Sequence, residues 1–318
     1  MFYNTENLYD PFNDTLVQDE EFLPDGARHW TYAKFLKKLN KLAQVIIAAG
    51  EWEPPILVGM CEVENRFVSG KITRDTPLKA FHYKVVHEES PDPRGVDVVL
   101  LYREPMAILI NSKNIPIIFP EDSNQHTRDI LYAKILLAQC DTLHVFVNHW
   151  PSKYGGLESS EKRRDIVANT LKYYVDSLMH LSYPAKILLM GDFNAEPDEN
   201  CIMQFMNSFT GENTTCNNRL INLTETIPRN EGSYKFQGIW SSIDEMIIST
   251  ALTDHTGKIY LPETKMNIFK PDFLLEKDES NMGVRPFRTY LGPSFHGGFS
   301  DHLPVFIDIE VNNMVGIK

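Results

Sequence analysis

Nowhere in the 318 residues does an apolar run approach the roughly 20 positions that a helix needs to cross a bilayer, so an integral helical membrane protein is excluded. Cysteine is scarce: Cys61, Cys140, Cys201 and Cys216 are scattered without a C-x-x-C spacing. That pattern points to buried thiols, leaves a disulfide pair as the alternative, and argues against a zinc cluster. Basic charge is in short supply too, since 31 Lys and Arg face 43 Asp and Glu, for a net charge of −12. Non-specific affinity for nucleic acid comes mainly from cations that neutralise phosphates, so a protein that stably coats nucleic acid is excluded. An enzyme that grips phosphate locally is not. Internal repeats, low-complexity stretches and Gly/Ser/Pro linkers are all missing, and residues 1–318 read as a single domain. With 42% hydrophobic and 23% charged residues, a chain of this length buries a core without staples. Met1-Phe2-Tyr3 reads as a strand of only a few residues, where strands usually run about 5–6. On that reading residues are expected upstream, a cleaved export signal being one form they could take. An exported and a cytoplasmic location both stay open, as does the oligomeric state.

What the chain does have is a series of short runs rich in Val, Ile and Leu. They fall at Ile56–Met60, Val96–Tyr102, Met106–Ile110, Ile130–Leu137, Leu143–Val147, Lys186–Met190 and Val305–Ile309. Such runs, broken by turns, read as buried strands. Two stretches instead have helical period. In the first, Tyr32, Phe35, Leu36, Leu39, Ala43, Ile46 and Ile47 precede a stop at Gly50. In the second, Ile166, Val167, Leu171, Tyr174 and Leu178 follow Ser159 or Ser160 as the expected cap. Strands outnumber helices and do not alternate with them one for one. The predicted class is therefore α/β (α+β), with two sheets packed together and helices outside.

Polar residues cluster where these runs end. Val58-Gly59-Met60-Cys61 leads into Glu62, and a carboxylate at a strand end suits a hard cation such as Mg²⁺ as well as it suits a surface ion pair. The run 186–190 leads into Gly191-Asp192-Phe193-Asn194, a candidate site or an Asx-type turn. Asp244 interrupts an apolar strand, and a buried Asp needs a partner. Ser300-Asp301-His302 precedes another strand, and a histidine beside carboxylates is a natural general base. Asn148-His149-Trp150-Pro151-Ser152-Lys153 ends a further strand with a histidine, a hydroxyl and a cation.

In order, Asn4…Glu62…His149…Gly191-Asp192-Phe193-Asn194…Asp244…Ser300-Asp301-His302 resembles the endonuclease/exonuclease/phosphatase superfamily, the deoxyribonuclease I-like proteins, and in its wider strings a bacterial branch of it. The resemblance spans nearly the whole chain and implies a four-layer sandwich of two mixed β-sheets between helical layers. It implies Glu62 as principal ligand of Mg²⁺ or Mn²⁺, with Asn4, Glu6 and Asp301 near that ion. It further implies that His302, oriented by Asp244, activates water for in-line attack on phosphorus, with Asp192 as the rival base. Asn194 would bond the scissile phosphate, and His149 would contact another phosphate oxygen or serve as an acid. The family often has Asp where Glu6 stands, and the longer side chain here changes its reach.

Substrate choice rests on the segments that border this site. Arg94, Arg128, Ser152, Lys153, Arg288 and Tyr290 are the candidate substrate-binding residues, Arg being able to hold phosphate bidentately. Each could also be an ordinary surface or packing residue, and Lys162, Arg163 and Arg164 are expected to face solvent. The aromatic stretch from Leu261 to Gly298 reads equally as a base-stacking rim or as loop packing. The leading expectation is a metal-dependent phosphodiesterase acting on DNA or RNA. Hydrolysis of a small phosphoester (an inositol phosphate, a phospholipid headgroup or a nucleotide conjugate) is the alternative, and a non-catalytic binding module is the third.

Overall fold

Each long strand sends alternate side chains to opposite faces, and the inner strands are buried on both faces. In β1 (Phe2–Leu8), Phe2 enters one core and Tyr3 another; in β2 (Leu57–Val63), Cys61 and Met60 divide the same way. A sheet that is apolar on both faces needs cover on both. The computed structural model describes residues 1–51, 53–122, 124–153, 156–181, 184–209 and 219–312; Tyr154, Gly155 and Cys216 lie outside these.

One sheet joins β1 and β2 to β3 (Tyr83–Val86), β4 (Asp97–Arg103) and the two-residue strands Asn267–Ile268 and Val305–Phe306. The other contains β5 (Ala107–Ile115), β6 (Ile130–Leu137), β7 (Asp141–His149), β8 (Ile187–Asp192) and β9 (Leu220–Asn222). After a small hairpin, β10 (Tyr234–Phe236) and β11 (Ile239–Ser241), comes β12 (Asp244–Ser249), which lies between β8 and β9. Both sheets are mixed: β1–β2 and β7–β8 run parallel and their other neighbours antiparallel.

Phe2, Cys61 and Leu100 of the first sheet meet Leu131, Val145 and Met190 of the second in a shared core. Helices α1 (Tyr32–Ala49) and α2 (Arg66–Arg74) cover the outer face of the first sheet through Phe35, Leu39, Ile46, Val68 and Ile72. Helices α3 (Leu157–Leu181) and α4 (Asn200–Asn207) cover the second through Val167, Leu171, Ile202 and Phe205. The result is the four-layer α/β sandwich that the sequence led us to expect. Helix α1 starts and stops as its sequence directs: the Thr31 side chain accepts from Lys34 N at 3.4 Å, and Gly50 N closes on Ile47 O at 3.3 Å.

Four details differ from expectation. β1 runs seven residues, not three, so the short first strand that pointed to upstream residues does not exist. The run 305–309 pairs only through Val305 and Phe306. Helix α3 begins at Leu157, which puts Ser159 and Ser160 inside its first turn rather than at the cap. Arg164 is buried, not solvated, because its guanidinium reaches Pro151 O at 3.4 Å and Glu199 at 3.6 Å. Cys61 and Cys201 are buried free thiols as expected, while Cys140 is only half-buried.

Candidate active site

Parallel neighbours end on the same side, and here both parallel pairs carry their polar residues to that end. In the first sheet Asn4 lies opposite Cys61, immediately before Glu62. In the second, His149 lies opposite Asp192, which in turn faces Asp244 at the start of antiparallel β12. Gly191 makes the second junction possible: a Cβ there would sit 2.4 Å from the carbonyl oxygen of Asn148.

The first sheet bends to aim its carboxylate. Register slips between Asn4 and Leu8 on β1 and between Cys61 and Val63 on β2 mark bulges. Within them Glu6, Asn7 and Glu62 take φ of 52°, 55° and 60°, and across the site Asn194 takes 49°. Left-handed backbone at non-glycine residues is costly and concentrates at functional sites. Asn7 N donates to Glu62 Oε2 at 2.8 Å, which holds the side chain so that Oε1 stands 3.8 Å from His149 Nε2.

Asp192 sits at the centre. It accepts from Asn4 Nδ2 at 3.0 Å and Asn194 N at 2.9 Å, with His149 Nε2 and His302 Nε2 each 3.9 Å away. His302 Nδ1 lies 2.7 Å from Asp244 Oδ2, which also accepts from Ser233 Oγ. Tyr234 packs tilted against the imidazole with ring centroids 4.7 Å apart, and Ser300 Oγ ties this segment to Asn4 O at 2.7 Å.

Burial and charge separate the titrating groups. Burial alone would lower the pKa of His302, but the Asp244 carboxylate, its hydrogen bond, and the nearby Asp192 and Asp301 push it up to about 10. Burial, opposed by His302 and reinforced by Asp244, pushes Asp192 up to about 7. Burial together with Arg128, Arg94 and His302 holds His149 well below the usual histidine value, so it is neutral. Two groups of side chains have ligand atoms within 4.8 Å of one another: Cys61, His149 and Asp192, and Asp192, Asp244 and His302.

The remaining candidates are placed as follows. Glu6 is buried with its carboxylate committed: Oε2 accepts from Thr289 N at 2.6 Å, Arg288 Nε lies 3.3 Å from Oε1, and Lys38 lies 3.8 Å from Oε2. It therefore ties strand β1 to the 288–290 segment rather than presenting a free oxygen. Asp301 is gripped on Oδ2 by Arg288 Nη2 at 3.0 Å. Arg128 is not an exposed grip, because it is buried with its guanidinium on Asp92 at 3.0 Å and on Trp150 O at 2.8 Å. Arg94 is half-exposed, 3.6 Å from the same Asp92. Ser152 and Lys153 are exposed, the latter paired with Glu199 at 2.6 Å. Tyr290 is not on a substrate wall: it is buried against Trp30 and Phe295, with its hydroxyl on Arg28 O at 2.9 Å. Phe273 and Phe287 both pack against Phe299 in tilted and edge-on contacts, so these aromatics of the stretch serve loop packing.

Sequence reasoning missed three contributors. Cys61 brings a thiol beside Asp192, Ser233 supports Asp244, and Lys38 reaches Glu6 from helix α1. A lysine in the apolar stripe between Phe35 and Leu39 was a signal available for the last.

A family model described as the Endonuclease/Exonuclease/phosphatase family matches residues 1–311. A comparison with curated proteins finds no match. Among solved structures the chain is similar to a humanized D. rerio TDP2 at 13% identity and TM-score 0.56, covering 98% of this chain and 97% of that one. It is similar to a Bacteroides thetaiotaomicron mannosyl-6-phosphatase at 12% identity and TM-score 0.56, covering 97% and 98%. It is also similar to the human Nocturnin catalytic domain with bound sulfate, at 15% identity and TM-score 0.52, covering 86% and 87%. At such identities the likeness carries the fold alone.

Proposed function

This chain belongs to the endonuclease/exonuclease/phosphatase family, and on that premise we propose that it is a divalent-metal-dependent phosphodiester hydrolase that cleaves DNA or RNA. Members of the family hydrolyse phosphoester bonds, and divalent-metal dependence is general among them. We also read residues 1–318 as one catalytic domain. The observation that carries the proposal is the convergence of the His302–Asp244 pair, Asp192, His149 and Glu62 at the ends of two parallel strand pairs.

The donor set fits a hard cation. Among the described residues no donor bonds Glu62 Oε1 or Asp301 Oδ1, and Asn4 adds an amide. Glu62 and Asp301 would hold Mg²⁺ or Mn²⁺, with Asn4 Oδ1, which already accepts from Glu6 N at 2.9 Å, offering its second lone pair; Glu6 drops out because both its oxygens are engaged elsewhere. When bound, the ion supplies positive charge to the phosphoryl oxygens.

The rest is done by the chain itself. Asp244 holds the Nδ1–H of His302 and keeps the ring cationic, so its Nε2–H donates to a phosphoryl oxygen. Asp192, with a pKa near 7, is the group best matched to take the proton of the attacking water at neutral pH. That favours the rival base over His302 in the role. His149, neutral, donates rather than serving as an acid. Asn194 places one amide hydrogen on Trp150 O at 3.1 Å and keeps the second for substrate.

The pairing of the cations favours one second reading. Arg128, Lys153 and Arg288 each already face a carboxylate, which suits a small phosphoester better than a long polyanion. Nicking of supercoiled plasmid with Mg²⁺ or Mn²⁺, with EDTA and His302→Ala as controls, tests the proposal. Metal-dependent nicking, lost with EDTA and reduced roughly 10²-fold or more in His302→Ala, is expected. No nicking by the folded protein, with phosphate released from a small ester instead, would refute the nuclease and establish the second reading.

A further inference from the structure

One soft ligand stands among the hard ones at the active centre, and the proposed hydrolysis has no use for it. Cys61 is the residue before Glu62 on β2, and its side chain enters the core between the sheets. It is a fully buried free thiol. Its Sγ, one ring nitrogen of His149 and one carboxylate oxygen of Asp192 lie within 4.8 Å of one another. The three come from β2, β7 and β8, so no C-x-x-C spacing accompanies them.

His149 supplies an independent sign of a missing partner. Its ring is 5% exposed and forms no hydrogen bond among the described residues. Nδ1 is buried without a partner, while Nε2 stands 3.8 Å from Glu62 Oε1 and 3.9 Å from Asp192 Oδ2, beyond hydrogen-bond reach. A buried ring nitrogen left unpaired is costly, and a cation that takes up its lone pair relieves that cost.

We propose that Cys61, His149 and Asp192 form a site for a borderline-soft divalent cation of the Zn²⁺ class, and that its occupation silences the active centre. A thiolate, an imidazole and a carboxylate are the donors zinc takes, whereas Mg²⁺ and Mn²⁺ prefer oxygen alone. Tetrahedral zinc holds such atoms about 3–4 Å apart, so the trio closes with a movement of about 1 Å. On binding, the Sγ–H bond breaks, an Sγ–Zn bond forms and the proton leaves to solvent. Water can fill the fourth position from the side of Glu62, which is only half-buried.

The silencing rests on the proposed hydrolysis. Zinc held here occupies Asp192, the base, and His149, a donor to substrate, yet leaves Glu62 and Asp301 to the hard cation. Raising Mg²⁺ should therefore not restore the rate.

The test uses Zn²⁺ and Co²⁺ on the full chain, because Co²⁺ replaces zinc in such sites and reports a thiolate ligand by a charge-transfer band in the near ultraviolet. Wild type should bind one Co²⁺ per chain with that band, and Zn²⁺ should displace it. Cys61→Ala should abolish the band and weaken Zn²⁺ binding by roughly 10²-fold or more, since losing even an outer partner of a ligand costs roughly 10–100-fold. If that variant does not fold, Cys61→Ser decides, because a hydroxyl gives no sulfur band. With Mg²⁺ saturating, Zn²⁺ should stop hydrolysis in wild type, and the concentration needed should rise by the same factor in the variant, each protein being compared with its own zinc-free rate. No band in wild type, a band that survives loss of the Cys61 thiol, or a bound site without inhibition overturns the proposal. So does inhibition that Mg²⁺ relieves and the substitution leaves unchanged. A protein that hydrolyses no phosphoester would refute the hydrolase reading, and the cobalt band would still decide the site.

Discussion

Replacing Asp244 with Asn leaves the shape of the pair intact and removes only its charge. The carboxylate is fully buried, and its Oδ2 accepts from His302 Nδ1 at 2.7 Å. That charge is the main influence lifting the His302 pKa from 6.5 to about 10 against the pull of burial. A histidine raised in the folded state stabilises the fold fully below its unfolded value of 6.5, and loses that contribution as pH climbs through 10. At pH 7.5 the two values correspond to about 3 kcal/mol of stability, falling to a few tenths near pH 10. The figure is a ceiling, because Asn still forms one hydrogen bond to the ring. Denaturant unfolding in EDTA should thus show Asp244→Asn losing up to about 3 kcal/mol at pH 7.5, with the gap to wild type closing near pH 10. In parallel, imidazole NMR should show His302 protonated at pH 8.5 in the metal-free wild type and neutral in the variant. Turnover at neutral pH should fall by roughly two to four orders of magnitude. Unchanged titration of His302 in Asp244→Asn would refute the reasoning, since the ring's charge would then come from Asp192 and Asp301. A stability gap that widened with pH would refute the sign.

Two further outcomes follow from the same geometry. Asp192 has a pKa raised to about 7 from 3.8, so its ionisation costs the fold stability as pH rises from 3.8 to about 7, and the loss is complete above 7. In EDTA, Asp192→Asn should therefore match or exceed wild-type stability at pH 8 while losing roughly 10²-fold or more in kcat, a split that unfolding curves and steady-state rates would reveal. Gly191→Ala places a methyl 2.4 Å from a backbone oxygen that cannot step aside. It should cost about 1–3 kcal/mol and turnover with it, and a variant with wild-type melting and rate would disprove the packing reading.

The sandwich was legible in the sequence because it rests on apolar runs, and those of β2, β4, β6, β7 and β8 fall where the strands form. Strand β1 was cut short because Asn4, Thr5, Glu6 and Asn7 carry no apolar pattern. Their burial is sustained by bonds to Asp192, Cys61 and Thr289, from parts of the chain far off in sequence. The proposed centre was legible by residue order, and Asp244, His302, Asp192, His149 and Glu62 converge. What order could not convey was commitment. Glu6, Arg128 and Tyr290 have the right chemistry for a site and are each consumed by a partner, Lys38 and Thr289 for the first, Asp92 for the second, Trp30 and Arg28 O for the third. Periodicity records how a residue is spaced, and pairing depends on tertiary geometry that periodicity does not contain.

The hydroxyl of Ser300 resting on the carbonyl of Asn4 has a meaning in time as well as in space. That bond spans 296 residues, and His302 follows two positions later. During synthesis most strands of both sheets exist before the segment that bears the histidine has been made, and contacts of such long range close late because the entropy of looping the chain comes first. An emerging chain can thus hold nearly all of its architecture while its dyad is still incomplete. Any hydrolytic capacity of the proposed centre arrives only with the last few residues of the sheet, so the nascent chain carries it in an unfinished, silent form.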